Sequence, residues 1–527
     1  MLTQYVYNEG CGYPLGSQGG GAQDRPRRGP KVEHGVDNFA AEKGGHWMID
    51  LQAEPAAEVH KLPVRRSLSK AISLRPSRAV AWLLSINIVV RGLWLLYMHP
   101  PQHVDFLWYY THAVQMAEGL GYIQGGAATA YWPAGYPFFL SLLFRVFEPS
   151  VILGMVANAL LSAGIVMLVY ALAKRLTEDR RIAFWSALAY TLLPSQIAWN
   201  SVLGSEELAT FLLVWSILLY PLRDQSKRYV ATALSGLVMG LGCDVRPIPL
   251  LFPFFIFFLE KWIWGRKGAA STKTATIQMM VYGVALLVGV CPLTIRNWID
   301  FHHLILVSNN GGVNLWQGTM TDTGYYWSWH PDVNPLLAAG ANTYLENQIG
   351  MHAFFEHVIH HPYWTFFNGF AKWFYLYWKD DNVMIYTFRA GTATMQRLAY
   401  RMGWIFTVVY WLWMAVAVTG MAWAMKICGV RWRRLALPVV FIAYNTAVFF
   451  VFPAWDRFRY PIMPLYALFV GVGVVAWLRH REGRKAARSS AEVRREARGE
   501  LLAKGGGGAE AGQETDRSPL GMGPRVR

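Results

Sequence analysis

The sequence predicts an all-α polytopic membrane protein, with about ten transmembrane helices and two long outward-facing segments. Three observations predict it. First, 54% of the 527 residues are hydrophobic and only 16% are charged, against roughly 25% charged in an ordinary soluble domain. Second, apolar runs of spanning length recur through the middle of the chain, and mean hydropathy is +0.22. Third, the basic residues gather in the tails and in the loops between alternate runs, which is how membrane orientation is written. The net charge of +16 therefore argues for orientation, not for nucleic acid. The four Cys, at 11, 243, 291 and 428, have neither zinc nor redox spacing. No disulfide framework or metal cluster is expected from them.

Residues 1–75 are rich in Gly, Pro, Arg and Glu and carry no periodic apolar face, which predicts a disordered extension. They lack a basic stretch followed by an apolar one, so no cleavable signal peptide is expected. An over-extended start, with Met48 as the initiator, would account for the same composition. Apolar runs follow near 79–98, 151–173, 182–198, 206–222, 229–244, 247–264, 275–293, 402–425, 435–453 and 461–478. Each approaches the roughly 20 residues a helix needs to cross a bilayer. The run 229–264 also reads as one hairpin broken at "CDVRP". The stretch "YWTFFNGFAKWFYLYW" at 363–378 reads as interfacial, because Asn368 and Lys372 interrupt it and Trp and Tyr favour the headgroup layer. Residues 479–527 form a basic tail, helical at first and then disordered.

Basic residues precede the first run (Arg65, Arg66, Lys70, Arg75, Arg78) and fill the loops 174–181, 223–228, 261–273 and 426–434. The alternate loops are poor in them: 99–150 holds only Arg145, and 195–205 holds none. Ten spans with both termini cytoplasmic satisfy this pattern. The segments 99–150 and about 294–401 then face outward. No internal repeat is evident, which argues against a transporter built from inverted halves.

Asp105, in "HPPQHVDFLWYY", lies just outside the first span. Set among Phe106, Trp108, Tyr109 and Tyr110 it would be partly desolvated, which makes a carboxylate a stronger base. It then suits the removal of a proton from an attacking hydroxyl. A solvated loop residue or a helix cap is the plainer reading. Glu206 and Glu207 open the fourth span on the same side, where carboxylates are costly and often functional. They equally suit the positive end of a helix dipole, with Ser205 as cap. Arg246, Arg296, Arg457 and Arg459 fall on the side from which basic residues are normally removed. Bidentate phosphate contact would explain them. So would local pairing, Asp244 with Arg246 and Asp456 with Arg457. Among these, Arg459 is the favoured phosphate contact, and Arg91, inside the first span, is expected to pair with a buried carboxylate. The stretch "VSNNGGVNLWQGTMTDTGYYW" at 307–327, with Asn310 and Trp316, is suited to recognition of a sugar or to a plain turn. Seven of the 14 His fall between 302 and 361. Their spacing lacks the His-Glu-x-x-His pattern of zinc proteases, so no metal site is assigned.

In order along the chain, "VDFLWYYTHAVQMAEGLGY", "AYWPAGYPFFLSLLFRVF", "LLPSQIAWNSVLGSEEL", "PLTIRNW" with "SNNGGVNLWQG", "HPYWTFFNGFAKWFYLYW" and "RFRYPIMPLYALF" resemble the GT-C superfamily of integral-membrane glycosyltransferases. The nearest branch is that of protein O-mannosyltransferases, lipid A aminoarabinose transferases and lipopolysaccharide-core galacturonosyltransferases. The resemblance covers about 80–478 and implies a GT-C transmembrane domain at 79–478 with a periplasmic segment at 294–401. It implies Asp105 as catalytic base, Glu206 as a second acid that orients the acceptor or holds a divalent cation, and Arg459, Tyr460 and Lys372 as substrate contacts. Relatives often carry a second acid directly after the base, where this chain has Phe106. The implied donor is a polyprenyl-phosphate sugar. The acceptor is a hydroxyl of a glycolipid, glycan or protein, and the place is a bacterial inner membrane. Substrate binding is assigned to Arg459, Arg246, Arg296, Lys372, Tyr460, Asn310 and Trp316. The competing class is a non-enzymatic transporter or flippase of lipid-linked saccharides.

Overall fold

The structure is a computed structural model, which describes residues 76–224, 228–265, 269–320, 330–388 and 391–505. The expected N-terminal extension, the tail beyond 505 and residues 321–327 of the recognition stretch lie outside the described residues.

The described residues are helical almost throughout. In order come α1 (Pro76–Tyr97), α2 (Asp105–Ala117), α3 (Gly135–Val146), α4 (Val151–Thr177), α5 (Arg180–Thr191), α6 (Pro194–Ala198), α7 (Glu206–Leu219), α8 (Arg228–Cys243) and α9 (Phe252–Phe258). Then follow α10 (Ala269–Phe301), α11 (Gly311–Gln317), α12 (Thr343–His360), α13 (Pro362–Trp378), α14 (Asn382–Phe388), α15 (Ala393–Cys428), α16 (Ala436–Val448), α17 (Asp456–Arg459) and α18 (Met463–Gly505). One two-stranded antiparallel ladder, Ile123–Gln124 with Ala127–Ala128, closes a turn between α2 and α3.

Each of the ten predicted runs is helical. Among the described residues, five helices are long and apolar enough to cross a membrane: those at 78–97, 151–177, 271–301, 393–426 and 456–497. The others are shorter, and their breaks have local causes. The run 182–198 is cut between Thr191 and Pro194, since the residue before a proline is driven out of the helical region. The run 247–264 is divided into 3₁₀, α and π turns from Ile248 to Ile263. The outward segment 99–150 is not a loop: it holds α2 and α3, the latter an apolar helix of 12 residues.

Caps fix the connections. Ser150 accepts from the Ile152 N–H at the start of α4, and Asp179 accepts from Arg181 N at 2.7 Å to start α5. The basic loops meet at one end of the bundle. Arg479 pairs with Asp179 at 2.6 Å, Arg434 pairs with Glu178, Arg175 donates to Pro221 O at 3.2 Å, and Trp264 Nε1 donates to Arg433 O at 2.8 Å. The helices pack closely where side chains are small. A Cβ on Gly240 would lie 2.9 Å from the Cα of Gly289, which brings α8 against α10 backbone to backbone. Such contacts hold helices together where lipid offers no hydrophobic contrast.

The 363–378 stretch forms α13 with two faces. Asn368, Gly369, Lys372 and Leu376 are buried, while Tyr363, Trp364, Phe367, Phe370 and Phe374 are exposed. The basic tail continues α18 without interruption to Gly505. Arg91 differs from expectation: it donates to Thr191 O at 3.1 Å and Gln196 O at 3.4 Å. Carbonyls at the broken α5–α6 junction, not a carboxylate, take its hydrogen bonds, because the break at Pro194 leaves helix-end acceptors unsatisfied.

Candidate active site

Four charged side chains from four separate segments converge beside the turn that opens α2. Arg457 stands at the centre: Nη1 pairs with Asp105 Oδ2 at 2.7 Å, and Nε pairs with Glu206 Oε1. Arg246 Nη1 reaches the same Glu206 oxygen at 2.7 Å. Glu206 and Arg457 are buried, at 2% and 5% exposure, whereas a quarter of the Asp105 side chain remains open. Two carboxylates and two guanidiniums thus balance in charge, and Asp105 is the most open of the four.

Local sequence delivers each member. The turn before α2 passes through Val104 at φ 47 and ψ −116. That is an unfavourable conformation for a β-branched residue, and it swings Asp105 into the first turn of the helix. Glu206 opens α7, where the helix dipole favours negative charge; Ser205 makes no side-chain cap there. A Cβ on Gly204 would lie 2.2 Å from Glu206 Oε2, so any larger residue would displace a carboxylate that two guanidiniums hold. Arg246 follows α8, its backbone N–H bonded to Gly242 O at 2.9 Å. Next to it, Asp244 O accepts from Gly135 N at 3.0 Å, which docks α3 beside Arg246. Arg457 comes from α17, a helix of four residues.

Phe106 stands where relatives carry a second acid, and its ring lies 4.6 Å beneath the Arg457 guanidinium. The Trp199 ring lies 5.8 Å away on another side. An aromatic shelf holds this cation by its π face. The other aromatics after Asp105 do not wrap it. Trp108 stacks on His112 at 3.9 Å and meets Trp132 edge-on, while Tyr109 packs on Tyr136. Burial, reinforced by Asp105, pushes the Tyr109 hydroxyl up to about 12.

The local pairings considered for the arginines do not occur. Arg246 takes Glu206 rather than Asp244, and the Arg457 guanidinium takes Asp105 and Glu206 while Asp456 accepts the Arg457 backbone N–H at 2.8 Å. The remaining predicted substrate contacts lie elsewhere, each in a bond internal to the protein. Arg459 is buried, donates to Leu376 O and Asp380, and lies 4.0 Å over the Tyr410 ring. Lys372 donates to Gly318 O at 2.9 Å and Val451 O at 2.7 Å. Arg296 binds Thr129 O at 2.6 Å, Tyr122 O at 2.9 Å and Asp300 at 2.7 Å, clamping the outward turn. Tyr460 OH donates to Glu207, as does the Asn200 amide. Asn310 accepts from Ser308 at 3.0 Å, and Trp316 packs into a cluster with Tyr131 and Leu336.

A divalent cation does not fit at Glu206. Its Oε1 already serves two guanidiniums, and a cation at the buried Oε2 would lie within their field. On α12, His352 and Glu356 approach to 3.8 Å with both side chains exposed. Among the described residues no group of three His, Cys, Asp or Glu is placed to hold a metal.

Residues 132–294 match the family described as dolichyl-phosphate-mannose-protein mannosyltransferase, a segment that carries Glu206 and Arg246. The resemblance to GT-C glycosyltransferases read from the motifs is thereby met from a separate direction. No curated protein matches the chain. Among solved structures, the oligosaccharyltransferase AglB of Archaeoglobus fulgidus, in complex with an inhibitory peptide and a dolichol-phosphate, is similar over 79% of this chain and 51% of its own, with TM-score 0.47 and 11% identity. This chain therefore spans about half the length of that protein. ArnT of Cupriavidus metallidurans, bound to undecaprenyl phosphate, is similar over 76% of this chain and 78% of its own, with TM-score 0.36 and 12% identity.

Proposed function

We propose that this chain is a membrane glycosyltransferase that moves a sugar from a polyprenyl-phosphate donor to a hydroxyl of a glycolipid, glycan or protein on the outward, periplasmic side of a bacterial inner membrane, with both termini cytoplasmic. The observation that carries the reading is the convergence of Asp105, Glu206, Arg246 and Arg457, with Asp105 the most open of the four. The family match at 132–294 supports the reaction class.

In this reading the acceptor hydroxyl approaches Asp105. As its oxygen bonds to the anomeric carbon, Asp105 takes the proton. The bond from that carbon to the phosphate oxygen breaks, and its electron pair leaves with the polyprenyl phosphate. Negative charge develops on the phosphate, and in this reading it is met by Arg457, which pairs with Asp105, and by Arg246, which shares Glu206 with Arg457. Preorganised cations of this kind stabilise a leaving anion without reorganising during the reaction. Glu206 holds both guanidiniums in place and keeps the empty site neutral. Arg459, favoured as the phosphate contact on motif grounds, is 1% exposed, with its partners Asp380 and the Leu376 carbonyl both apart from Asp105 and Glu206.

The full-length chain in lipid nanodiscs, supplied with labelled polyprenyl-phosphate sugars and a membrane glycolipid fraction, is expected to attach label covalently to an acceptor. Asp105→Asn should abolish transfer while the size-exclusion profile stays that of the wild type. Near-normal turnover by that variant would sink the mechanism. Label that crosses vesicle membranes still joined to its lipid would point to a transporter or flippase instead.

A further inference from the structure

Asp105 and Glu206 come from segments far apart in sequence, and one buried amide joins them. Gln102 is three residues before Asp105 and is buried, at 8% exposure. Its Nε2 donates to Pro100 O at 2.9 Å, within its own segment, and to Ser201 O at 3.2 Å. Its Oε1 accepts from Leu203 N at 2.8 Å, three residues before Glu206. A side-chain amide is the group that can donate and accept across a gap at once. Gln102 thus fills the role of a backbone rung between two irregular strands that have no ladder of their own.

The segment it grips is held from other sides as well. Asn158 Nδ2 donates to Val202 O at 2.9 Å, and Trp94 Nε1 donates to Ser201 Oγ at 3.2 Å. These bonds tie residues 201–203 to α4 and α1. Among the described residues, Gln102 is the side chain that bonds the 201–203 segment to the stretch carrying Asp105. Beyond Leu203 the chain has only Gly204 and Ser205 before Glu206, and Gly204 is already in close contact with that carboxylate. A shift at Leu203 is therefore transmitted to Glu206.

We infer that Gln102 is a positioning residue, which sets the spacing of Asp105 against Glu206 and Arg457 without touching substrate. The inference rests on the proposed glycosyl transfer for its kinetic consequence, but its geometric part can be read alone. Gln102→Met keeps the length and removes the hydrogen bonds. Displacing reacting groups by about 1 Å costs on the order of 100-fold in rate. The Gln102→Met enzyme is therefore expected to lose about 100-fold in kcat with KM for the donor within about two-fold, the signature of an interaction felt in the transition state.

Hydrogen exchange supplies the second readout. In Gln102→Met the amides of 203–206 should exchange faster while those of α4 and α15 stay at wild-type rates. If kcat stays within about three-fold of wild type in a folded Gln102→Met enzyme, the inference is overturned. Unchanged exchange at Leu203 overturns it too, whatever the activity. If the wild type transfers no sugar but Leu203 exchange rises in the variant, the proposed reaction fails while the bridging role stands. Should Gln102→Met not fold, Gln102→Asn, one methylene shorter, carries the same two measurements.

Discussion

Arg457 and Arg459 sit two residues apart on one short helix, and they face different surroundings. Arg457 meets Asp105 and Glu206 at a mouth where one carboxylate is open. Arg459 is 1% exposed, spans Asp380 and the Leu376 carbonyl, and lies on Tyr410. At 3.6 residues per turn, two residues separate the side chains by about 200° around the helix. Helix phase alone sends one guanidinium toward the site and the other into the junction of α13, α14 and α15. In the proposed reaction the first serves the chemistry, while the second holds the segment down.

Substitution at the two positions should therefore fail in different ways. The largest effect is expected for Arg457→Gln. Loss of a preorganised cation typically costs about 10²–10³-fold in rate, and transfer per folded molecule should drop by that much. Near-normal turnover would erase the contrast between the two arginines. Arg459→Met should instead leave Asp380 buried without its counter-ion, at a cost of about 3–5 kcal/mol in stability. Its melting temperature in detergent should fall steeply while the folded fraction turns over within a few-fold of wild type. If Arg459→Met lost turnover without losing stability, the roles would be reversed.

A smaller effect belongs to Gly204→Ala. The added methyl would collide with Glu206 Oε2, so the carboxylate must move, and with it the guanidiniums it holds. About a ten-fold fall in turnover is expected, since sub-ångström displacement costs part of the roughly 100-fold that 1 Å does. Assay beside Gly483→Ala, an exposed helical position where a Cβ meets nothing within 4 Å, gives the control for a general glycine effect.

The smallest effect concerns a buried group neutralised by proton loss instead of by a counter-ion. His112 is buried beneath Trp108, and burial pushes it down to about 4 although the Trp108 carbonyl, 2.8 Å from Nδ1, pulls the other way. Unfolded, it protonates near 6.5. Its contribution to stability is therefore intact above pH 6.5 and is lost as pH falls through about 4. The melting temperature of the wild type should decline over that window, and His112→Gln should decline less. Parallel curves would show that His112 does not contribute.

Much of this was legible in the sequence, and the missing part has a physical reason. The spans followed from apolar length, because backbone groups in lipid must be satisfied within a helix. Asp105, Glu206 and Arg246 were legible as charges on the outward side, and the fold brings them together. Arg457 was visible only as one half of "RFR". Choosing it over Arg459 requires the phase of a four-residue helix, and nothing in composition or periodicity supplies that. Arg296 and Lys372 were equally unexpected on the outward side, but their partners are backbone carbonyls at Thr129, Gly318 and Val451. Main-chain acceptors leave no mark in a sequence. Gln102 is hidden for the same reason, since all three of its bonds are to main chain.

The last helix has a mechanical consequence. Its 43 residues make a rod about 65 Å long at 1.5 Å per residue. One end follows directly on Tyr460 and the arginine-bearing turn, and near Arg479 it is strapped to Asp179 at 2.6 Å. From the strap at Arg479 back to Met463 the rod measures about 24 Å, so a lean of one degree about the strap carries the near end through only about 0.4 Å, below the roughly 1 Å at which reacting groups lose their alignment. The stiffness of this first stretch of the helix thus backs the contacts by which Asp105 and Glu206 hold the guanidinium.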